Sequence, residues 1–267
     1  SLGTATLAVS SFDPNVAQTK EIGTTNYKFS GVRVTAGSVE QVKLWSVRWN
    51  QTGSASSADL ANVKVYVDGT SYDAVVSSDG KYYSAVFSGG ILIDKGMSKD
   101  VYIQGDITGT GSAGRTVQFD LSKNTDLYMS GVTYGYGLIG TNPNGASNTT
   151  ATTASEFVGP AATPGSPFFS GSLVTVSAGS ITTVQKATSV AATNIAVNVP
   201  NQVLGGFTTD IKGEPISVQS MVFTVATSSV SGSYGLLTGV TLVDSNGAVV
   251  AGPVDLTGAG DTITFTD

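Results

Sequence analysis

Residues Leu60–Phe87 read LANVKVYVDGTSYDAVVSSDGKYYSAVF, and this stretch decides the fold class. Apolar and polar residues alternate over three short runs, which are separated by the pairs Asp68-Gly69 and Asp79-Gly80. Asp-Gly pairs supply the positive φ angles that tight hairpins require. The stretch therefore predicts a meander of three antiparallel strands that ends at Phe87.

A related pattern returns at Leu237–Phe265, LTGVTLVDSNGAVVAGPVDLTGAGDTITF. In both stretches a Val follows the first Leu by three residues, an Asp-containing turn comes next, and a strand ends on Phe. The segment GSLVTVSAG at 171–179 also resembles GTATLAVSS at 3–11. Four apolar residues of the second half lie 176 positions after four core candidates of the first: Val218, Met221, Phe223 and Val225 after Val42, Trp45, Val47 and Trp49.

These patterns predict an all-β protein made of two tandem antiparallel Ig-like β-sandwich domains. The length of 267 residues suits two domains, and the 33 Gly with many β-branched residues favour strands and turns over helices. Residues 140–170 are rich in Pro, Thr, Asn and Ser, which is typical of a linker. We therefore expect domains at 1–139 and 171–267, joined by a linker at 140–170.

The second domain is predicted to be incomplete, because the sequence after Phe265 has no counterpart of the two strands that follow Phe87. We expect either that the chain is a fragment of a longer polypeptide or that another chain supplies the missing strands.

Single strands can be assigned within the first domain. The alternation over Asn26–Val34 changes phase at Ser30-Gly31, which predicts a bulge or bend. The run Val39–Trp49 predicts a core strand in which Trp45 and Trp49 face inward.

Composition excludes several classes of function. The chain has no Cys and no His, so thiolate metal sites, disulfides and the commonest general base are absent. The net charge of −6 comes without a basic patch, which argues against nucleic acid as a partner, and no apolar run is long enough for a membrane span. The carboxylates Asp94, Asp100, Asp106 and Asp120 fall in turn-like or solvent-facing positions, so we do not expect an enzyme.

Two candidate binding sites remain. Asp244 and Asn246 have the alternate spacing that begins a calcium loop, but no bidentate Glu follows, and the alternative that we favour is a hairpin turn. Tyr82 and Tyr83 are candidate glycan-binding residues, against the alternative that they fill the core; because neighbours on a strand point to opposite faces, one of them must point outward.

The chain resembles the repeated β-sandwich domains of large bacterial surface-layer proteins, as encoded by candidate-phylum bacteria. The resemblance lies in DLANVKVYVDG at 59–69, in LTGVTLVDSNGAVVAGPV and DTITFTD at 237–267, and in KDVYIQGDITG, GRTVQFDL and GVTYGYGL between 99 and 138. It implies an extracellular structural protein of the cell surface that self-assembles with other copies, without catalytic residues. The alternatives are an adhesin or carbohydrate-binding module that contacts envelope glycans, and a pilus- or phage-like appendage subunit completed by strand donation.

Overall fold

A computed structural model describes residues 2–143, 153–159, 165–226, 237–256 and 262–266. Within these residues the chain is all-β, as predicted, with no α-helix. The elements are β1 (Ala5–Val9), β2 (Gln18–Glu21), β3 (Tyr27–Ala36), β4 (Val42–Thr52), a 3-10 turn (Ser57–Asp59), β5 (Leu60–Val67), β6 (Thr70–Asp73), β7 (Val75–Val76), β8 (Tyr82–Ile93), β9 (Ser98–Ile107), β10 (Thr116–Asp120), a 3-10 turn (Asn124–Asp126), β11 (Leu127–Gly131), β12 (Gly137–Leu138), β13 (Gly140–Thr141), β14 (Glu156–Phe157), β15 (Phe169–Ser170), β16 (Val174–Ser177), β17 (Ser180–Lys186), β18 (Phe207–Lys212), β19 (Ser220–Thr224), β20 (Val240–Val243), β21 (Val249–Val254) and β22 (Thr262–Thr266).

The chain forms two compact units. Unit 1 comprises Ser1–Ser180 with Lys212–Glu214, and unit 2 comprises Ile181–Ile211 with Pro215–Asp267.

Unit 1 contains two large sheets. Sheet A has the order β13-β1-β3-β9-β5-β6. Sheet B has the order β12-β11-β4-β10-β16-β2, in which β11 and β10 pair with successive parts of one edge of β4. The opposite edge of β4 pairs with β8, and β7 lies beside β8. Most neighbours are antiparallel, but β13 runs parallel to β1 and β2 runs parallel to β16.

Both sheets of unit 1 contribute to one core. Phe29 of sheet A lies 5.2 Å, centroid to centroid, from Phe119 of sheet B, and both side chains are fully buried. Trp49, Val101 and Ile103 are equally inaccessible to solvent. The alternation of strand residues thus places one face of each sheet in a shared interior.

The opening stretch forms the predicted strands and turns but not a single meander. Asp68 and Gly69 have φ angles of 47° and 86° in the two-residue loop between β5 and β6. After β6, however, the chain leaves sheet A, and β8 pairs with β4 in sheet B. Alternation cannot specify which sheet a strand joins, so the prediction of one three-strand meander was wrong.

The strand β4 contains a bulge that overturns the assignment of Trp45 to the core. The register between β4 and β8 shifts between Leu44 and Ser46. Leu44 consequently fills the interior, and Trp45 is half-buried, where its Nε1 donates to Ser130 Oγ at 2.8 Å. The bulge predicted in β3 is confirmed by a register shift between Lys28 and Ser30.

The region predicted as a linker instead completes unit 1. Phe157 and Phe169 are 4% and 0% exposed, and their ring centroids lie 4.7 Å apart within the core of unit 1. The strand β16, expected to open the second domain, pairs with β10 and β2. The unit boundary therefore follows Ser180; residues 144–152 and 160–164 of the predicted linker lie outside the described residues.

Unit 2 contains three two-stranded sheets, β17-β18, β19-β22 and β20-β21, among its described residues. Its small core is formed by Leu256, Ile263 and Phe265. Phe223 of β19 packs against this core, and its ring lies 5.6 Å from that of Phe207 on β18.

The connection pattern of unit 2 matches the first half of unit 1. In unit 1 a strand pair, β1-β3, is followed by β4, which pairs with the later β8 around the hairpin β5-β6. In unit 2 the pair β17-β18 is followed by β19, which pairs with the later β22 around the hairpin β20-β21. The register agrees as well. Val47 pairs with Ala85, two residues before Phe87, and its counterpart Phe223 pairs with Ile263, two residues before Phe265.

Candidate interaction surfaces

The four carboxylates weighed above as catalytic candidates make structural contacts. Asp100 accepts from Arg33 Nη2 and Ser10 Oγ, both at 2.7 Å. Burial alone would raise the pKa of Asp100, but the hydrogen bonds from Arg33 and Ser10 lower it below its ordinary value. Asp94 is held by Gln41 Nε2 at 2.5 Å.

The remaining two carboxylates of that set join chain segments. Asp106 accepts from the backbone N–H of Asn26 and from Asn62 Nδ2, both at 2.7 Å. Asp120 accepts from the backbone N–H of Gly171 at 2.8 Å and from Thr52 Oγ1 at 2.9 Å. Burial raises the pKa of Asp120 despite these hydrogen bonds. The four carboxylates thus stabilise loops and strand ends at four places in unit 1.

Asp13 is the centre of a buried polar cluster that sequence analysis did not predict. Its carboxylate accepts from Ser155 Oγ at 2.5 Å, from the backbone N–H of Gly31 at 2.8 Å and from that of Asn15 at 2.7 Å. Burial raises the pKa of Asp13, although each of these hydrogen bonds lowers it. The cluster fastens the segment around Ser155 to β3 through hydrogen bonds from hydroxyl and backbone amide groups to Asp13.

Asp244 and Asn246, the candidate calcium ligands, lie in the turn between β20 and β21. Asp244 Oδ1 accepts from the backbone N–H groups of Asn246 at 2.8 Å and Ala248 at 2.9 Å. The hydrogen bonds from Ala248 and then Asn246 lower the pKa of Asp244. Within the described residues no three Asp or Glu side chains gather into a metal site. This geometry is that of the hairpin turn weighed against a calcium loop.

Tyr82 and Tyr83, the candidate glycan-binding residues, point to opposite faces of sheet B, as alternation requires. Tyr83 is 1% exposed and donates through its hydroxyl to Gln51 Oε1 at 2.9 Å. Its ring is inaccessible to a sugar, so its assignment as a glycan-binding residue was wrong. Tyr82 is half-buried, with the Arg48 guanidinium 5.0 Å from its ring centroid.

An aromatic cluster that the sequence did not predict lies on the outer face of sheet A, where Phe12 and Tyr66 cover Tyr102 and leave it only 4% exposed. The rings of Tyr66 and Tyr102 stack with centroids 5.2 Å apart and an interplanar angle of 8°. Phe12 lies 4.8 Å from Tyr102, and Lys28 Nζ lies 4.5 Å from the Phe12 centroid. We call Phe12, Lys28, Tyr66 and Tyr102 the outer ring stack.

The outer ring stack borders a shallow cavity of about 400 Å³, lined by residues that include Phe12, Asn26 and Lys28. Gln104 Nε2, on the same face, donates to Asn26 Oδ1 at 3.3 Å. Tyr66 is half-buried and Phe12 is 37% exposed, so both have ring surface available to a ligand. The alternation of β5 predicts that Tyr66 points outward. The contact of Phe12 with Tyr102 of β9, and of that ring with Tyr66 of β5, depends on pairing between distant segments.

A further exposed apolar surface lies on the strands of unit 2. Ile211 of β18 is 48% exposed and Val184 of β17 is 64% exposed. No hydrogen-bonded ladder joins β18 to β20 among the described residues. Unpaired strand edges with apolar side chains are templates for pairing with another strand.

No helix of the described residues combines the length and apolar character needed to cross a membrane. Comparison of the chain with protein-family models, with curated proteins and with solved structures gives no match.

Proposed function

We propose that this chain is an extracellular structural protein of a surface layer or cell-surface array, built from tandem Ig-like β-sandwich modules that self-assemble. The single observation that carries the proposal is the shared connection pattern, in which β19-β22 repeats the register of β4-β8. A repeated module with unpaired strand edges is suited to lateral or end-to-end association.

The use of charge supports the same proposal. Arg115 and Arg48 bind the buried carboxylates of Asp59 and Asp126, each at 2.8 Å or less, and so hold the two 3-10 turns. Only 12% of the residues are charged, and a surface of neutral polar groups lets copies pack without strong mutual repulsion.

Electron microscopy of the purified chain tests this function. We expect ordered sheets or filaments at high protein concentration. A strictly monodisperse monomer at every concentration, with and without Ca²⁺, would overturn the proposal.

A second candidate function is carbohydrate binding, which the outer ring stack favours. Aromatic faces beside amide and ammonium groups suit stacking on a sugar ring with hydrogen bonds to its hydroxyls. The test is a glycan array with the wild type and Phe12→Ala, with Tyr82→Ala as a matched control on the opposite sheet. Binding that is lost only in Phe12→Ala supports this function, and an array without a signal rules it out.

A further inference from the structure

We propose that the cavity beside the outer ring stack binds an acidic polysaccharide, with the ammonium groups of Lys28 and Lys20 pairing with the carboxylates of its uronic acid residues. The ligand class rests on the second candidate function, carbohydrate binding, and narrows it to glycans that carry carboxylates.

Polar side chains without a protein partner meet at this cavity. Gln18, Thr25 and Lys28 contribute to its lining, with Thr25 exposed and the other two half-buried. Within the part of the chain that the structure describes, none of these three side chains makes a hydrogen bond or an ion pair. The volume of about 400 Å³ falls in the range of roughly 300–1,000 Å³ that ligand pockets occupy. Amide and hydroxyl groups whose hydrogen bonds are unused suit the hydroxyls of a sugar ring.

Two ammonium groups lie at the rings that border the cavity. Lys28 Nζ is 4.5 Å from the ring centroid of Phe12 and 5.6 Å from that of Tyr102. Lys20 Nζ is 5.2 Å from the ring centroid of Tyr27, which lines the cavity. A cation–π contact positions an ammonium group without neutralising its charge. Both lysines can therefore pair with an anionic ligand.

The carboxylates near the cavity are already bound within unit 1. Asp13 is 8% exposed and accepts from the backbone N–H of Gly31 at 2.8 Å. Asp106 is 9% exposed and accepts from the backbone N–H of Asn26 and from Asn62 Nδ2. Of the described residues that line the cavity, Lys28 alone is charged. The net charge of −6 arises largely elsewhere on the chain, and physiological salt screens charges that are more than about 8 Å away.

The groups at this cavity favour a sugar carboxylate over a phosphate. Phosphates are typically bound by Arg forks and by helix N-termini. Each of the three Arg of the chain is paired with an Asp: Arg33 with Asp100, Arg48 with Asp126 and Arg115 with Asp59. The described residues also contain no α-helix. Lysine ammonium groups remain for the carboxylate, and the 37% exposed ring of Phe12 offers apolar surface to the C–H groups of the sugar.

Isothermal titration calorimetry on the full chain tests the proposal with a matched pair of ligands. The probes are tetragalacturonate and its methyl ester, which has the same sugar chain without the charges. We expect the acid to bind at least tenfold more tightly than the ester. The affinity for the acid should fall as the salt concentration rises, because the ammonium–carboxylate attraction is screened.

Variants of the lysines test which groups bind the carboxylates. We expect Lys28→Gln and Lys20→Gln each to weaken binding of the acid by about fivefold to tenfold, the size expected for one charge-assisted hydrogen bond at a partly exposed site. Lys28→Arg retains the charge and should bind nearly as the wild type does. The matched control is Lys43→Gln, because Lys43 Nζ also lies over a ring, 5.1 Å from the Trp45 centroid, but on β4 of sheet B. Circular dichroism verifies that all four variants fold.

Three results would overturn the proposal. The first is an ester that binds as tightly as the acid, and the second is a Lys43→Gln variant that weakens binding as much as Lys28→Gln does. The third is hexaglutamate or inorganic phosphate binding as tightly as tetragalacturonate, because the site would then recognise an acidic peptide or any anion. Equal binding of acid and ester contradicts the acidic ligand alone and leaves carbohydrate binding in place. A chain that binds neither form, and gives no signal on the glycan array, contradicts carbohydrate binding itself.

Discussion

Replacing Phe169 by alanine tests whether the segment after residue 164 belongs to the core of unit 1. Phe169 is fully buried, and its ring centroid lies 4.7 Å from that of Phe157 and 6.3 Å from that of Trp49. Truncation of a buried Phe costs about 3–5 kcal/mol, because transfer energy is lost and a cavity remains. We expect Phe169→Ala to lose that amount of unfolding free energy.

The assay is urea unfolding followed by tryptophan fluorescence. Both tryptophans of the chain, Trp45 and Trp49, lie in unit 1, so the signal reports that unit alone. In thermal unfolding the same loss should lower the midpoint by roughly 6–20 °C, since a unit of this size shifts by about 2–4 °C per kcal/mol.

Phe168→Ala is the matched control, because Phe168 is adjacent but only partly buried. We expect it to cost about 1 kcal/mol, on the order of a partial loss of apolar burial. If Phe169→Ala costs no more than Phe168→Ala, residues 165–170 act as a loose linker and the assignment of this segment to unit 1 is refuted.

Two further predictions concern acidic residues. Asp244→Ala should speed amide exchange at Asn246 and Ala248, because their N–H groups donate to Asp244 Oδ1. Millimolar Ca²⁺ should not raise the melting temperature of the wild type. A calcium-dependent rise that Asp244→Ala abolishes would restore the calcium site. Burial raises the pKa of Asp13, so the folded state holds its proton more tightly, and Asp13 costs stability as the pH rises from its ordinary pKa through the folded value. The stability of Asp13→Asn relative to the wild type should therefore be greater at pH 7 than at pH 3. Plots of unfolding free energy against pH that run parallel for the two proteins would contradict the prediction.

Local sequence patterns predicted what depends on neighbouring residues. The turn at Asp68-Gly69 needs two positive φ angles, and the residue types report that need directly. The bulge near Ser30 was visible because the apolar alternation changes phase there.

Features that depend on distant segments could not be predicted in this way. The bulge at Trp45 leaves a continuous apolar pattern, so alternation alone placed the ring inside. In the segment 140–170 the polar composition predicted a linker, although the side chains of Phe157 and Phe169 are buried. The outer ring stack likewise requires β5, β9 and the chain around Phe12 to meet, and no local pattern encodes that meeting.

The comparison of Val47 with Phe223 shows why pairing and burial must be argued separately. The two residues occupy the same register position, opposite Ala85 and Ile263 respectively. Val47 is 1% exposed, whereas Phe223 remains only half-buried although its side chain is larger. Identical strand pairing therefore does not account for the burial of Val47; a complete second layer does. In unit 1 that layer is continuous because β9 joins β3 to β5, whereas among the described residues of unit 2 no ladder joins the corresponding strands β18 and β20.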